Sequence, residues 1–196
     1  MDPNAIFNKI LRVARLDATV FDDVRDDQNE LVPALVIAGI SALLAGLGAF
    51  LFFEFNDYPF NNAFLNTVIL GSIFLAALYA IWVLVVYVVL VQIFKASADL
   101  QSLFRTMGYA ALPLALSVLM FIPYLHPVFA IVPVALLLVM TIYAVQSTTT
   151  ADSRQVVIAN LVGLAVMAFV LGIVATTPDA GDAPMGAGLF AWVFDV

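Results

Sequence analysis

Long apolar runs separated by short polar gaps dominate this chain. Five runs are long enough to cross a bilayer, at about 31–53, 64–94, 106–124, 128–146 and 156–176. A helix needs about 20 apolar residues to traverse a hydrocarbon core of about 30 Å. The second run is the longest. Some thirty residues would reach roughly 45 Å at a rise of 1.5 Å, so it must tilt or protrude. The third and fourth runs carry Pro113 and Pro133. A mid-span proline frees a backbone carbonyl and kinks its helix, and in lipid that carbonyl needs a partner from a neighbouring helix or water. Between these two runs the short turn Tyr124-Leu125-His126-Pro127 enforces an antiparallel hairpin. The expected fold is all-α: a polytopic membrane bundle of five transmembrane helices with a short N-terminal amphipathic interfacial helix.

That first helix is read from residues 3–16. Ile6, Phe7, Ile10, Leu11 and Ala14 share one face, and Asn8, Lys9, Arg12 and Arg15 the other. Two placements fit this pattern. The helix lies in the cytoplasmic interface with its bases toward anionic headgroups, or it packs on a neighbour within the protein. Residues 17–30 carry Phe21 and Val24 among acids and form a second surface turn or helix. Small residues recur every few positions in three spans: Ala34, Ala38, Ala42 and Gly46; Ser72, Ala76 and Ala80; Ala159, Gly163, Ala168 and Gly172. Such ridges let helices approach closely. Phe52, Phe53, Phe55, Tyr58 and Phe60 suit the outer membrane interface, where aromatic rings concentrate. The final stretch containing Trp192 is too short to cross and is expected to fold back onto that interface.

Charge sets the orientation. Lys9, Arg12, Arg15 and Arg25 precede the first run, Lys95 and Arg105 bracket the second gap, and Arg154 lies in the fourth. The first gap, the third gap and the C-terminal tail contain no Lys or Arg. Cytoplasmic loops retain these residues, so the N-terminus is expected inside and the C-terminus outside a cell membrane. The division is a cytoplasmic amphipathic and acidic lead segment (1–30), a five-helix membrane domain (31–176) and an extracytoplasmic tail (177–196). The first thirty residues hold no apolar core of a cleavable signal, so the first span serves as its own insertion signal.

Composition agrees with a membrane protein: 64% of residues are hydrophobic and 11% charged, against about 25% charged in soluble domains. The absence of cysteine excludes disulfide and thiolate chemistry. Net charge is −7, with twelve Asp, two Glu and only two Lys. An acidic, lysine-poor exposed surface suits high salt, where screening weakens self-repulsion, and points to a haloarchaeal source. No basic stripe exists for nucleic acid.

No catalytic constellation is present. His126 is a lone histidine in a tight turn, whereas a metal site needs several ligands. Asp22, Asp23, Asp26 and Asp27 read as a solvated face. No span carries an ionisable group in its middle, where transporters commonly retain one. Mid-membrane polarity is confined to Tyr79, Ser117, Thr141, Tyr143 and Asn160. Asn160 fits a hydrogen bond to a helix. The kinked third and fourth helices are the feature most like a transporter, since broken helices line substrate paths.

The inside loop enters the third span through Arg105-Thr106-Met107-Gly108-Tyr109-Ala110-Ala111-Leu112-Pro113. This stretch, with the segment preceding the first span and the five-run order, resembles the Yip-domain family, the Ypt/Rab-interacting membrane proteins and their prokaryotic relatives, over residues 15–175. In that family an arginine followed by Gly-Tyr-Ala and a proline opens the third helix. The Gly-Gly pair common before that arginine in prokaryotic members is replaced here by Lys-Ala-Ser-Ala-Asp-Leu-Gln, and the long Rab-engaging N-terminal region is absent, so a trafficking role does not carry over. The resemblance implies a five-helix fold, an N-in topology and a membrane-organising or transport-associated role. On physical grounds Arg105 snorkels at the inner interface, Gly108 permits close helix contact, Tyr109 offers its hydroxyl near the headgroups and Pro113 sets the kink.

The expected function is that of a non-enzymatic integral membrane protein acting through membrane lipids, other membrane proteins or a second copy, with no cofactor, metal or nucleic acid. A small-molecule permease or channel and an accessory subunit of a larger complex are the alternatives. Candidate interface or ligand-lining residues are Arg105, Gly108, Tyr109, Pro113, Pro133, Tyr143 and Asn160.

Overall fold

The computed structural model describes residues 3–122, 124–175 and 181–183. Among them seven α-helices account for almost all regular structure: α1 (Pro3–Ala14), α2 (Val20–Asp26), α3 (Leu31–Phe55), α4 (Gly71–Val88), α5 (Leu100–Ala110), α6 (His126–Gln146) and α7 (Ser153–Ala175). Five helical stretches are long and apolar enough to cross a membrane: Gln28–Phe55, Phe64–Ile93, Leu100–Phe121, His126–Gln146 and Ser153–Val174. The all-α fold and its five spans agree with the hydropathy pattern. Trp192 and nearly all of the C-terminal tail lie outside the described residues.

Local chemistry adjusts the expected boundaries. The third helix begins at Leu100 rather than at Thr106, because Asp99 caps it: its carboxylate accepts from the Ser102 amide at 2.8 Å. The fifth begins at Ser153 through a reciprocal capping box, in which Asp152 accepts from the Gln155 amide at 2.8 Å and Gln155 accepts from the Asp152 amide at 3.2 Å. The second span is not one uniform helix. It opens as π-helix over Phe64–Leu70 and closes as π-helix over Val89–Ile93 around α4. The third changes from α-helix to 3₁₀-helix at Leu112–Phe121, where Pro113 supplies no amide. Pro133, by contrast, sits inside an uninterrupted α6.

The chain divides into two compact units, one comprising residues 1–38, 79–112 and 137–166, the other 39–78, 113–136 and 167–196. In the first, α2 packs on α5, and α1 touches both. Val20, Phe21 and Val24 are completely buried there. The loops 94–99 and 147–152 are joined: the Thr150 amide donates to the Ser97 carbonyl at 3.2 Å and the Thr149 hydroxyl donates to the same oxygen at 2.8 Å. The core of the second unit is aromatic. The rings of Phe53 and Phe60 meet edge to face with centroids 5.0 Å apart, Tyr58 stacks on Phe60 at 5.7 Å, and His126 lies 5.2 Å from Phe52. A groove of about 290 Å³ in this unit is lined by Gly39, Leu43, Val68, Ile69, Ser72, Ile73 and Ala76.

Candidate functional site in the first unit

Glu30 organises the polar interior of the first unit. It precedes Leu31 at the start of α3 and is 6% exposed. Desolvating a carboxylate is costly unless it is paired and hydrogen-bonded, and here both oxygens are engaged. Lys9 of α1 donates to Oε1 at 2.5 Å and the Tyr109 hydroxyl of α5 donates to Oε2 at 2.5 Å. One carboxylate therefore joins three elements far apart in sequence.

Arg105 makes a second fastening one turn from Tyr109. It is 5% exposed, and its Nη2 donates to the Arg25 carbonyl at 2.7 Å and to Ser102 Oγ at 2.8 Å. The Ser102 hydroxyl donates to the Asp99 carboxylate at 2.8 Å. Arg25 in turn donates to the Ser147 carbonyl at 2.6 Å and pairs with Asp22 and Asp26. Two guanidinium groups thus hold α2 on α5 and on the loop after α6. Arg105 is buried within the folded protein rather than extended into solvent: backbone and hydroxyl oxygens take up its Nη2, while its Nε has no hydrogen-bond partner.

The Tyr109 hydroxyl ends on Glu30, directly before the first span, and the residue is fully buried. Gly108 behaves as expected of a contact glycine: a Cβ there would lie 2.7 Å from the Ala34 carbonyl oxygen. Close approach of α5 to α3 therefore requires glycine. One turn deeper, the Tyr79 hydroxyl donates to the Met107 carbonyl at 2.6 Å and its ring meets Trp82 edge-on at 5.6 Å.

The remaining candidates do not join this group. Pro113 and Pro133 belong to the second unit and are buried there. Tyr143 is 52% exposed, so it lines no interior path. Asn160 is fully buried, but its Nδ2 donates to the Val156 carbonyl of its own helix at 3.1 Å. Thr141 likewise bonds its own helix, at Leu138, at 2.9 Å. α1 is tied to its neighbours through its bases. Lys9 serves Glu30, and Arg12 serves Asp17 at 2.9 Å, Asp23 at 2.5 Å and Thr19 at 2.9 Å. The Thr19 hydroxyl and the Arg12 guanidinium hold the Asp17 carboxyl down at about 2. Hydrogen bonds from Arg25 and from the Asn29 amide lower Asp26 and Asp27 respectively. Phe7 of α1 remains 60% exposed.

Sequence reasoning missed Glu30 as a site residue. A signal was available: it is one of two glutamates in an aspartate-rich chain and stands directly before an apolar run. Among the described residues no group of three His, Cys, Asp or Glu side chains could hold a metal ion. Chemically the cluster is a clasp, with carboxylate and guanidinium groups occupied in joining backbone segments.

The Yip1 domain model matches residues 16–176. The chain belongs to the Yip1 domain family. No curated protein and no solved structure matches it. The matched region begins after α1 and ends at the last residues of the fifth span, so it contains Glu30, Arg105 and Tyr109 but not Lys9.

Proposed function

We propose that this Yip1-family membrane protein is not an enzyme and acts by presenting its clasped N-terminal helices to a membrane or protein partner. The observation that carries this reading is the distribution of charge. All seven Lys and Arg belong to the first unit, and that unit also holds α1, α2 and the loops 94–99 and 147–152. Basic loops favour the cytoplasmic side, so the lead segment 1–30 faces the cytoplasm of a cell membrane and the tail 177–196 the opposite side, with 31–176 as the membrane domain. The α2 carboxylates Asp22, Asp23 and Asp26 pair with Arg25 and Arg12 yet stay more than half exposed, so a partner can reach them. The lysine-poor acidic surface supports a high-salt, haloarchaeal cytoplasm.

The permease reading has less support, since Tyr143 faces outward and Thr141 and Asn160 bond their own helices. The test uses the absence of native cysteine. Single cysteines at Gln28, Asn61 and Ser97 are labelled in intact cells with an impermeant maleimide. Labelling at position 61 alone is expected, and labelling at 28 or 97 would refute the orientation. Reversing Asp22, Asp23 and Asp26 to Lys should abolish a partner captured by crosslinking in native membranes. Substrate flux or turnover by the purified protein in liposomes would refute the non-enzymatic, partner-binding role.

A further inference from the structure

Two fully buried polar atoms of the first unit lack hydrogen-bond partners and are complementary: Trp82 Nε1, a donor on α4, and Asn160 Oδ1, an acceptor on α7. Both border the close approach of α4 to α7. A Cβ at Gly163 would fall 2.5 Å from Trp82 Nε1, so the indole nitrogen sits directly on the backbone of α7. Asn160 is three residues earlier, which places it on the same helix face, about 5–6 Å away between Cβ positions. Its Nδ2 is committed to Val156, which leaves Oδ1 as the free acceptor. A span interior offers no bulk water, and each unsatisfied group there costs several kcal/mol. A buried water needs at least two polar partners, and this donor and this acceptor supply them.

We propose that Trp82 and Asn160 form a binding site for one small hydroxylic ligand, a water molecule, held between α4 and α7 inside the membrane domain. The glycine at 163 makes the site by letting the indole lie on the helix backbone. Asn160 then belongs to a bridge between helices, although its amide nitrogen bonds only its own helix. The water accepts from the indole N–H and donates to the asparagine carbonyl. Its second proton and remaining lone pair are free for a third partner.

The experiment uses the full chain in nanodiscs with Trp192→Phe, which leaves Trp82 as the sole indole, labelled with ¹⁵N. Magnetisation transfer from water to the indole Hε1 is expected. Addition of Asn160→Leu should abolish it and move the Trp82 fluorescence to shorter wavelength. An Hε1 resonance with no water transfer in the Asn160 protein overturns the proposal, and one that contacts only the Asn160 side chain shows a direct bond instead. Unchanged emission and transfer after Asn160→Leu also overturns it. Should Asn160→Leu fail to fold, the measurement on the Trp192→Phe protein decides alone.

Discussion

The two units hold helices together by different physics. The first uses long-range polar bonds: Lys9 to Glu30, Tyr109 to Glu30, Arg105 to the Arg25 carbonyl and Arg25 to the Ser147 carbonyl. The second has polar bonds from residues 61–66 to 181–183, but its core is made of rings, with Phe52, Phe53, Tyr58, Phe60 and His126 in contact, and it contains no Lys or Arg. Each choice follows from what the environment already supplies. Lipid is as apolar as a leucine side chain, so apolar burial alone does not discriminate between helices there. Shape and ring geometry do so in the second unit. Directed hydrogen bonds to fixed carbonyls do so in the first, where polar loops and short helices must be seated on span ends.

The contrast can be broken most severely in the ring cluster. Phe53→Ala removes a fully buried ring and should cost about 4 kcal/mol, read as a large loss of thermal stability in mild detergent. A loss below about 1 kcal/mol would show that the rings do not hold that unit. Glu30→Ala should cost about 3 kcal/mol, near the lower bound for breaking a buried ion pair, because Lys9 keeps some exposure. It should also make the α1–α2 region protease-sensitive while the ring cluster stays protected, and simultaneous cleavage in both units would deny their separate fastening. Arg105→Lys keeps the charge but moves the donor away from the Nη2 position that reaches the Arg25 carbonyl and Ser102. About 1–2 kcal/mol is expected, with hydrogen exchange of α2 amides as the readout, and wild-type protection would contradict the clasp.

Gly39→Ala sharpens the comparison from the other side. Its Cβ would meet nothing within 4 Å, unlike that of Gly108. The exchange should stabilise by up to about 1 kcal/mol through helix propensity, whereas Gly108→Ala should destabilise. Equal effects at both positions would refute the close α5–α3 approach. The smallest effect concerns acid. The folded Asp17 carboxyl lies near 2 rather than at its ordinary 3.8, so its contribution is complete above about pH 4 and disappears as pH falls through about 2. Exchange of the Thr19 amide should rise only in that window and weakly, because the pair is solvent-screened.

The hydropathy pattern alone was sufficient for the number of spans and the helical class, because lipid demands about twenty apolar residues per crossing regardless of what packs beside them; the family needed the Arg105–Pro113 string as well. The motif around Gly108, Tyr109 and Pro113 was visible as a string, and Gly108's close contact could be read from residue size. The roles of Arg105 and Tyr109 could not. Their partners, the Arg25 carbonyl and the Glu30 carboxylate, lie 80 and 79 residues away and come to them only through the packing of α2 and the start of α3 on α5. Glu30 remained obscure for the same reason: its partners are 21 and 79 residues away. Linear order specifies how often a chain enters the bilayer, since that depends on each segment's own transfer energy. Which carboxylate meets which lysine depends on three elements converging, and only the folded arrangement sets that distance.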